Sequence, residues 1–417
     1  MPLLGSEASL TLGMSFSPDG SWLASTEMTH FVFWNLSSTR STVIGRLKAG
    51  PGDGGVAFTR DGHLLTGSDS PEEGLQRWPL SYVRGDDVRV VWSRPGQVSE
   101  IAYFDPAERF VVLETGGSEG TEVDVVPFDG STPRVYALGK PVGILHGTSL
   151  SPDGRFLAAF AGSGQDPELN AVRIIDRETG GERTLNTHPK GEERCQKPGS
   201  TYDGFAIPVW LPDGRLFTDG DAGLRVWDLA AGTSTLLRPC KTTLCGCTQL
   251  KATPDSRTIF RFDPADTGLN VSTLTAFDVA SSSTREVTSH GNRLTSFALG
   301  PDGTILVTGD VSGVVRVGPA TGEEPRLLYG HTGPVTSVAV SYDGRKVASV
   351  SDDGTIRLWP MPDLSKPPLH TLPHDKLVAT LRALTNLRAV RDPASDSGWK
   401  IEIGPFPGWA KVPTWQP

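Results

Sequence analysis

Along this chain short apolar runs alternate residue by residue with polar ones, and the runs come in pairs joined by a turn of Pro, Asp and Gly. VSYDGRKVASV (340–350) shows the unit. Matching stretches are FSPDGSWLAST (16–26), FTRDGHLLTGS (58–68), FDPAERFVVLE (104–114), LSPDGRFLAAF (150–160), WLPDGRLFTDG (210–220), ATPDSRTIFRF (252–262) and LGPDGTILVTG (299–309). Each reads as strand, tight turn, strand. Period-two alternation buries one face of a strand, and Asp-Gly tolerates the left-handed backbone that a hairpin requires. A third apolar run follows each hairpin: FVFWNL, LQRWPL, VDVVPF, VRIIDRE, LRVWDL, LTAFDV, VRVGPA and IRLWPM.

The last two units superimpose without a gap at a period of 41 residues, placing His290 on His331, Asp302 on Asp343, Gly303 on Gly344 and Gly318 on Trp359. A repeat of about 40–45 residues with four short strands predicts an all-β propeller. Eight units predict eight blades, with seven the alternative should 104–128 not form a full blade. The last unit reads as continuing into its own outer strand, KPPLHTLPH (366–374), on the pattern of EEPRLLYGH (323–331); PLLG at 2–5 is the other donor for closure.

The stretch GHTGPVTSVAVSYDGRKVASVSDDGTIRLW (330–359) and the Trp-Asp pair of LRVWDLAAG (224–232) resemble the WD40 repeat family. The resemblance implies a hydrogen-bonded chain of His, Ser or Thr, Asp and Trp within a blade, here His331, Ser349, Asp353 and Trp359. These residues are read as structural rather than catalytic. The seventh unit offers His290 and Thr308 but has Ser312 and Gly318, and Val126, Ile175 and Phe277 stand where units 3, 4 and 6 would carry Trp. The array is similar to the C-terminal WD40 arrays of large bacterial signalling proteins. That implies a regulatory or sensing end whose effector domain precedes it.

After the repeats the pattern changes. Leu377, Leu381, Leu384, Leu387 and Val390 recur at steps of three and four, which predicts an amphipathic helix over 376–390. Trp399, Phe406, Trp409 and Trp415 follow in a Pro-rich tail. The expected domains are therefore a propeller over 1–374 and a C-terminal helix and extended tail over 375–417 packed on it.

Composition narrows the functions. The 417 residues carry a net charge of −9, which disfavours nucleic acid and anionic membranes as partners. The N-terminus lacks the basic and apolar regions of a signal peptide, and no apolar run is long enough for a membrane helix, so the expected location is the cytoplasm. Nucleophile-elbow, phosphate-loop and His-Glu-x-x-His motifs are absent, and no cofactor is expected. Cys195, Cys240, Cys245 and Cys247 have no standard zinc spacing; free thiols, disulfides and a metal stay open.

Where the repeat departs from its minimum is informative. In a four-stranded meander, turns between strands one and two and between three and four emerge on one face. Turns between two and three, and the links between blades, emerge on the other. The first face has minimal turns, whereas the second carries longer segments at 68–74, 115–121, 161–170, 187–204 and 262–270. Binding residues gather on such loops. The candidate partner-binding residues are Asp69, Glu72, Glu73, Glu119, Asp166, Glu168, Asp263 and Asp266, with Arg194 and Lys197 in one basic sector. An acidic rim suits a protein or peptide with a basic segment. The resulting expectation is a non-enzymatic interaction module. The alternative is a propeller hydrolase or lyase, or a small-ligand binder, using the central channel; the inner runs LTLGMSF, GGVAF, TSFAL and TSVAV are apolar and small and offer it little chemistry.

Overall fold

The structure, a computed structural model, describes residues 2–4, 11–27, 30–36, 40–46, 56–59, 61, 63–67, 74–79, 89–92, 98–104, 110–117, 120–139, 148–163, 166–187, 206–220, 223–239, 249–263, 272–291, 293–368, 371–377, 379, 387–391 and 399–403. The chain divides into two compact units, Met1–Pro362 and Asp363–Pro417.

Local chemistry builds the repeating hairpin. In the first blade Ser17 Oγ donates to Asp19 Oδ1 at 2.6 Å and accepts the Trp22 amide at 2.9 Å, while Asp19 accepts the Ser21 amide at 3.0 Å. Gly20 takes the left-handed conformation (φ +66°) that closes the turn. The same Ser/Thr-x-Asp arrangement recurs at Thr59 and Asp61, Ser151 and Asp153, Thr253 and Asp255, and Ser341 and Asp343. In the sixth unit Ser256 replaces the glycine at φ +60°, and its hydroxyl accepts the Asp213 amide of the neighbouring turn at 3.0 Å. The strain of a non-glycine residue there is offset by a bond between blades.

The first unit of the chain is an eight-bladed propeller, each blade a four-stranded antiparallel meander. Seven blades are continuous in sequence, spanning 11–46, 56–92, 98–139, 148–186, 206–238, 249–286 and 294–328. The eighth has three strands, Val335–Val340, Lys346–Ser351 and Thr355–Pro360, and its outer strand is Pro2–Leu4. The register pairs Pro2 with Arg357, Leu3 with Ile356 and Leu4 with Thr355. Closure by the N-terminal strand corrects the expectation that 366–374 supplies the outer strand. Pro367, Pro368 and Pro373 lack the amide that a ladder needs, and the described part of that segment contains no strand.

The apolar core is distributed over the seams between blades. Phe110, Val112, Val123 and Val125 of blade 3 pack on Leu150, Leu157, Ala159 and Ile175 of blade 4. At the closing seam Ala348, Val350 and Ile356 of blade 8 meet Phe16, Leu23 and Trp34 of blade 1.

Two of the predicted long loops are extended hairpins instead. Strands Phe110–Gly117 and Gly120–Pro127 continue to a Gly117–Gly120 pair, and Phe156–Ser163 and Asp166–Asp176 continue to a Ser163–Asp166 pair. A two-residue link closes each one, so the pairing runs on where a loop was expected.

In the second unit residues 374–377 and 379 are helical, but Leu387–Arg391 is a strand paired with Trp399–Ile403. The predicted helix over 376–390 therefore does not extend through its last turn. Leu387 and Ala389 fall opposite Ile403 and Ile401 in the register. The β-branched partner WKIEI outweighs the three-four spacing of the leucines.

Candidate functional site

Blade 8 brings His331, Ser349, Asp353 and Trp359 together. Trp359 Nε1 donates to Ser349 Oγ at 2.9 Å, Ser349 Oγ lies 2.8 Å from His331 Nε2, and His331 Nδ1 lies 3.0 Å from Asp353 Oδ2. With the proton on Nδ1, His331 donates to Asp353 and accepts from Ser349, so every member of the chain is satisfied. Asp353 also accepts the amides of Thr332 and Thr355, both at 2.9 Å, tying the segment entering the blade to the turn between its second and third strands. Burial would raise the Asp353 carboxyl, but hydrogen bonds from Thr355, Thr332 and His331 outweigh it and hold the group at about 2. Burial lowers the His331 imidazole despite the neighbouring carboxylate. The imidazole bridges Ser349 of the second strand and Asp353 of the turn that follows it.

The chain is only partly kept in the other blades: in blade 1 Trp34 and Ser25 hold its Trp and hydroxyl positions, but neither Trp34 Nε1 nor Ser25 Oγ has a hydrogen-bond partner among the described residues. Trp78 donates to Thr66 and Trp227 to Thr218, both at 2.9 Å and both buried. Where Trp is missing the hydroxyl is missing too: Val126 goes with Leu113, Ile175 with Ala159 and Phe277 with Arg261, as the registers align them. Blade 7 is the exception. Gly318 leaves no room for a side chain, since a Cβ there would lie 3.0 Å from Pro325 and 3.2 Å from His290 Nε2. Thr308 instead pairs with His290 Nδ1 at 2.9 Å. Among the described residues His290 Nε2 has no hydrogen-bond partner.

Burial, reinforced by the Arg316 charge, holds the His290 imidazole down to about 3, against an ordinary 6.5. The unfolded chain therefore binds a proton near pH 6.5 that the folded one refuses. Stability due to His290 is fully present above pH 6.5 and falls by about 1.4 kcal/mol for each pH unit below it, until the pH reaches the folded value. His290→Asn keeps a donor toward Thr308 and has no such titration. Urea midpoints measured at pH 7 and pH 5 are expected to separate less in this variant than in the parent; equal separations would contradict the burial of His290.

Two charges of blades 5 and 6 are internal. Arg261 occupies the hydroxyl position of blade 6 and forms an ion pair with Asp219 of blade 5; the side chains are 8% and 0% exposed. They crosslink two blades through the seam lined by Leu211, Phe217, Ile259 and Phe277. Lys251, on the inner strand Gln249–Ala252, departs from the small apolar character expected of the channel wall. The residue is exposed as a whole, yet its ammonium reaches the Phe297 carbonyl at 3.3 Å and lies 5.2 Å from the Phe297 ring; burial of that end lowers its pKa.

Of the expected partner-binding residues, Asp166 and Glu168 lie on the extended third strand of blade 4, and Asp263 ends the second strand of blade 6. Asp69, Glu72, Glu73, Glu119, Arg194, Lys197 and Asp266, with Cys195, Cys240, Cys245 and Cys247, lie outside the described residues.

An eight-bladed ring of four-stranded antiparallel meanders is a β-propeller, and two of its repeats are similar to the WD40 repeat. Residues 281–317 and 322–360 match the family profile described as WD domain, G-beta repeat. Similar proteins include nuclear distribution protein PAC1-2 of Uncinocarpus reesii, 36% identical over 98 residues that make up 23% of this chain and 20% of that protein. Another is serine-threonine kinase receptor-associated protein of Dictyostelium discoideum, 33% identical over 137 residues, 33% of this chain and 43% of that protein. The chain thus spans less than half the length of either relative. No described helix is long and apolar enough to cross a membrane.

Proposed function

We propose that this chain is a non-enzymatic interaction module that binds a protein or peptide on the face formed by the turns between second and third strands and the links between blades. The observation that carries this reading is the uneven distribution of chain length. The link 187–205 joins blades 4 and 5 on that face, whereas the strand-one-to-two turns opposite are as short as 17–21 and 341–345. A ring held by repeated hydrogen-bonded chains tolerates such insertions, because loop length adds little to the cost of closing the fold. The names of the two relatives, one a distribution protein and one receptor-associated, agree with an interaction role. The acidic rim favours a partner with a basic segment over nucleic acid or an anionic membrane. The setting we propose is cytoplasmic, as the regulatory end of a larger bacterial signalling protein whose effector domain precedes the propeller.

Charge reversal tests the face. Partners captured on the parent chain are identified by mass spectrometry, and their association rates are then measured against Glu72→Lys, Glu73→Lys, Asp166→Lys and Glu168→Lys combined. The combined variant is expected to bind more slowly and with a weaker salt dependence. Glu323→Lys with Glu324→Lys, on the opposite face, is expected to leave the rate unchanged. Binding that survives the first set and fails with the second would place the partner on the wrong face.

A further inference from the structure

The outer strands carry a recurring arginine that the hydrogen-bonded chain within a blade does not use. Arg134 of blade 3 pairs with Val125, Arg183 of blade 4 with Ile174 and Arg285 of blade 6 with Ala276. Each of these partners stands two residues before the end of its third strand, so the three arginines share one ladder position. Their target is shared as well. Arg134 donates to the Arg177 carbonyl of blade 4, Arg183 to the Leu229 carbonyl of blade 5 at 2.5 Å, and Arg285 to the Ala320 carbonyl of blade 7 at 2.6 Å. Each acceptor is the first residue after the third strand of the next blade. The register puts Arg89 of blade 2 and Arg326 of blade 7 at the same ladder position.

These bonds sit where they resist most. The fourth strand is the outermost of each meander, and prising two blades apart separates them furthest at the rim. Apolar packing at the seams is non-directional, whereas a guanidinium bond to a carbonyl is charge-assisted and fixes one geometry. The acceptor is itself held. The Arg177 amide donates to the Arg155 carbonyl at 2.9 Å, and the Ala320 amide to the Thr304 carbonyl at 2.7 Å. Each of these arginines therefore grips a corner at which the end of the third strand meets the first hairpin turn. Glycine leaves space at one corner, since a Cβ at Gly322 would lie 2.6 Å from Arg285 Nη1.

The departures from this pattern are as informative. In blade 5 the position belongs to Thr235, paired with Val226. The seam between blades 5 and 6 is the one crossed by the buried Arg261–Asp219 pair. An arginine thus crosses every seam from blade 3 to blade 7. Blade 1 differs. Thr42 holds the position on its outer strand, and the outer strand of blade 8 on its other side, Pro2–Leu4, contains no arginine. Lys346 crosses that closing seam to the Gly20 carbonyl at 2.6 Å, but from the second strand of blade 8 rather than from the rim. We infer that the arginines strap blades 3–7 into one conformational unit and leave blade 1 as the place where the ring first opens.

Hydrogen exchange of the full chain, followed by mass spectrometry under native conditions, tests this. The third strand of blade 1, His30–Asn35, is expected to exchange at least about tenfold faster than Leu224–Asp228 of blade 5 and Val315–Pro319 of blade 7. Arg183→Met and Arg285→Met keep an unbranched stem and remove the guanidinium. Arg183→Met is expected to speed exchange of Leu224–Asp228, and Arg285→Met that of Val315–Pro319, each by about tenfold, the effect of losing one charge-assisted hydrogen bond. Each variant is expected to leave the other's segment unchanged. Arg257→Met removes an 81% exposed charge from the first hairpin turn of blade 6 and is expected to change neither segment. Both arginines are on exposed outer-strand positions, so either variant carries the test should the other fail to fold. A uniform acceleration of all blades, no acceleration in either variant, an equal effect of Arg257→Met, or slow exchange in blade 1 would overturn the assignment. None of these outcomes bears on the partner face proposed above, whose charge-reversal variants change other residues.

Discussion

Trp359→Ala is expected to lower the unfolding free energy by about 3 kcal/mol, the lower end of the range for a large aromatic truncation because the indole is only partly buried. The loss has two parts that can be separated. Trp359→Phe keeps an aromatic ring but removes the Nε1 donor to Ser349, and is expected to cost about 1 kcal/mol, the usual net contribution of one hydrogen bond. Combining it with Ser349→Ala removes the acceptor as well. A non-additive result, read as a coupling energy from urea midpoints, is expected because Trp359, Ser349 and His331 share one oxygen. The consequence reaches the loops: through Asp353 the same chain holds the amides of Thr332 and Thr355 on the proposed binding face. An unchanged midpoint for Trp359→Ala would mean that neither the indole's packing nor its bond to Ser349 helps to hold blade 8.

The repeat, the blade number and the hairpin turns were legible because a hairpin pattern recurs in eight units, five of them with the same Ser/Thr-x-Asp turn. A Ser/Thr-x-Asp-Gly turn between alternating runs specifies a hairpin wherever it occurs, so agreement among copies carried the reading even through DPAER (105–109) and TPDSR (253–257). The closure was harder. It depends on three residues, Pro2–Leu4, whose pairing with Thr355–Arg357 has no local signature. Helix and strand compete in LRAV (387–390), where Leu387 and Val390 fit a helical stripe, and only the later WKIEI settles the matter. The candidate site was legible at His331, Ser349, Asp353 and Trp359, whose four residue types lie in one repeat. Interblade chemistry was not, since a pair such as Asp219 and Arg261 becomes visible only when two blades are placed side by side.

That pair supplies the other large effect. Arg261→Ala is expected to destabilise the chain by about 3–5 kcal/mol, since it leaves the Asp219 carboxylate, 0% exposed, without its guanidinium partner in an apolar seam. Most of this cost belongs to the stranded charge rather than to the attraction itself. Replacing both groups by apolar residues of similar size, Arg261→Met with Asp219→Leu, is therefore expected to recover most of the stability, because removing two charges together also removes their desolvation penalty. Asp219→Leu alone is expected to be severely destabilising for the converse reason, the buried guanidinium then lacking its carboxylate. Denaturant midpoints of the four proteins in this cycle test the arrangement. A double variant no more stable than Arg261→Ala would show that the pair is needed for more than mutual compensation. Near-parental stability of Arg261→Ala would show that Asp219 reaches water and that the seam between blades 5 and 6 is open.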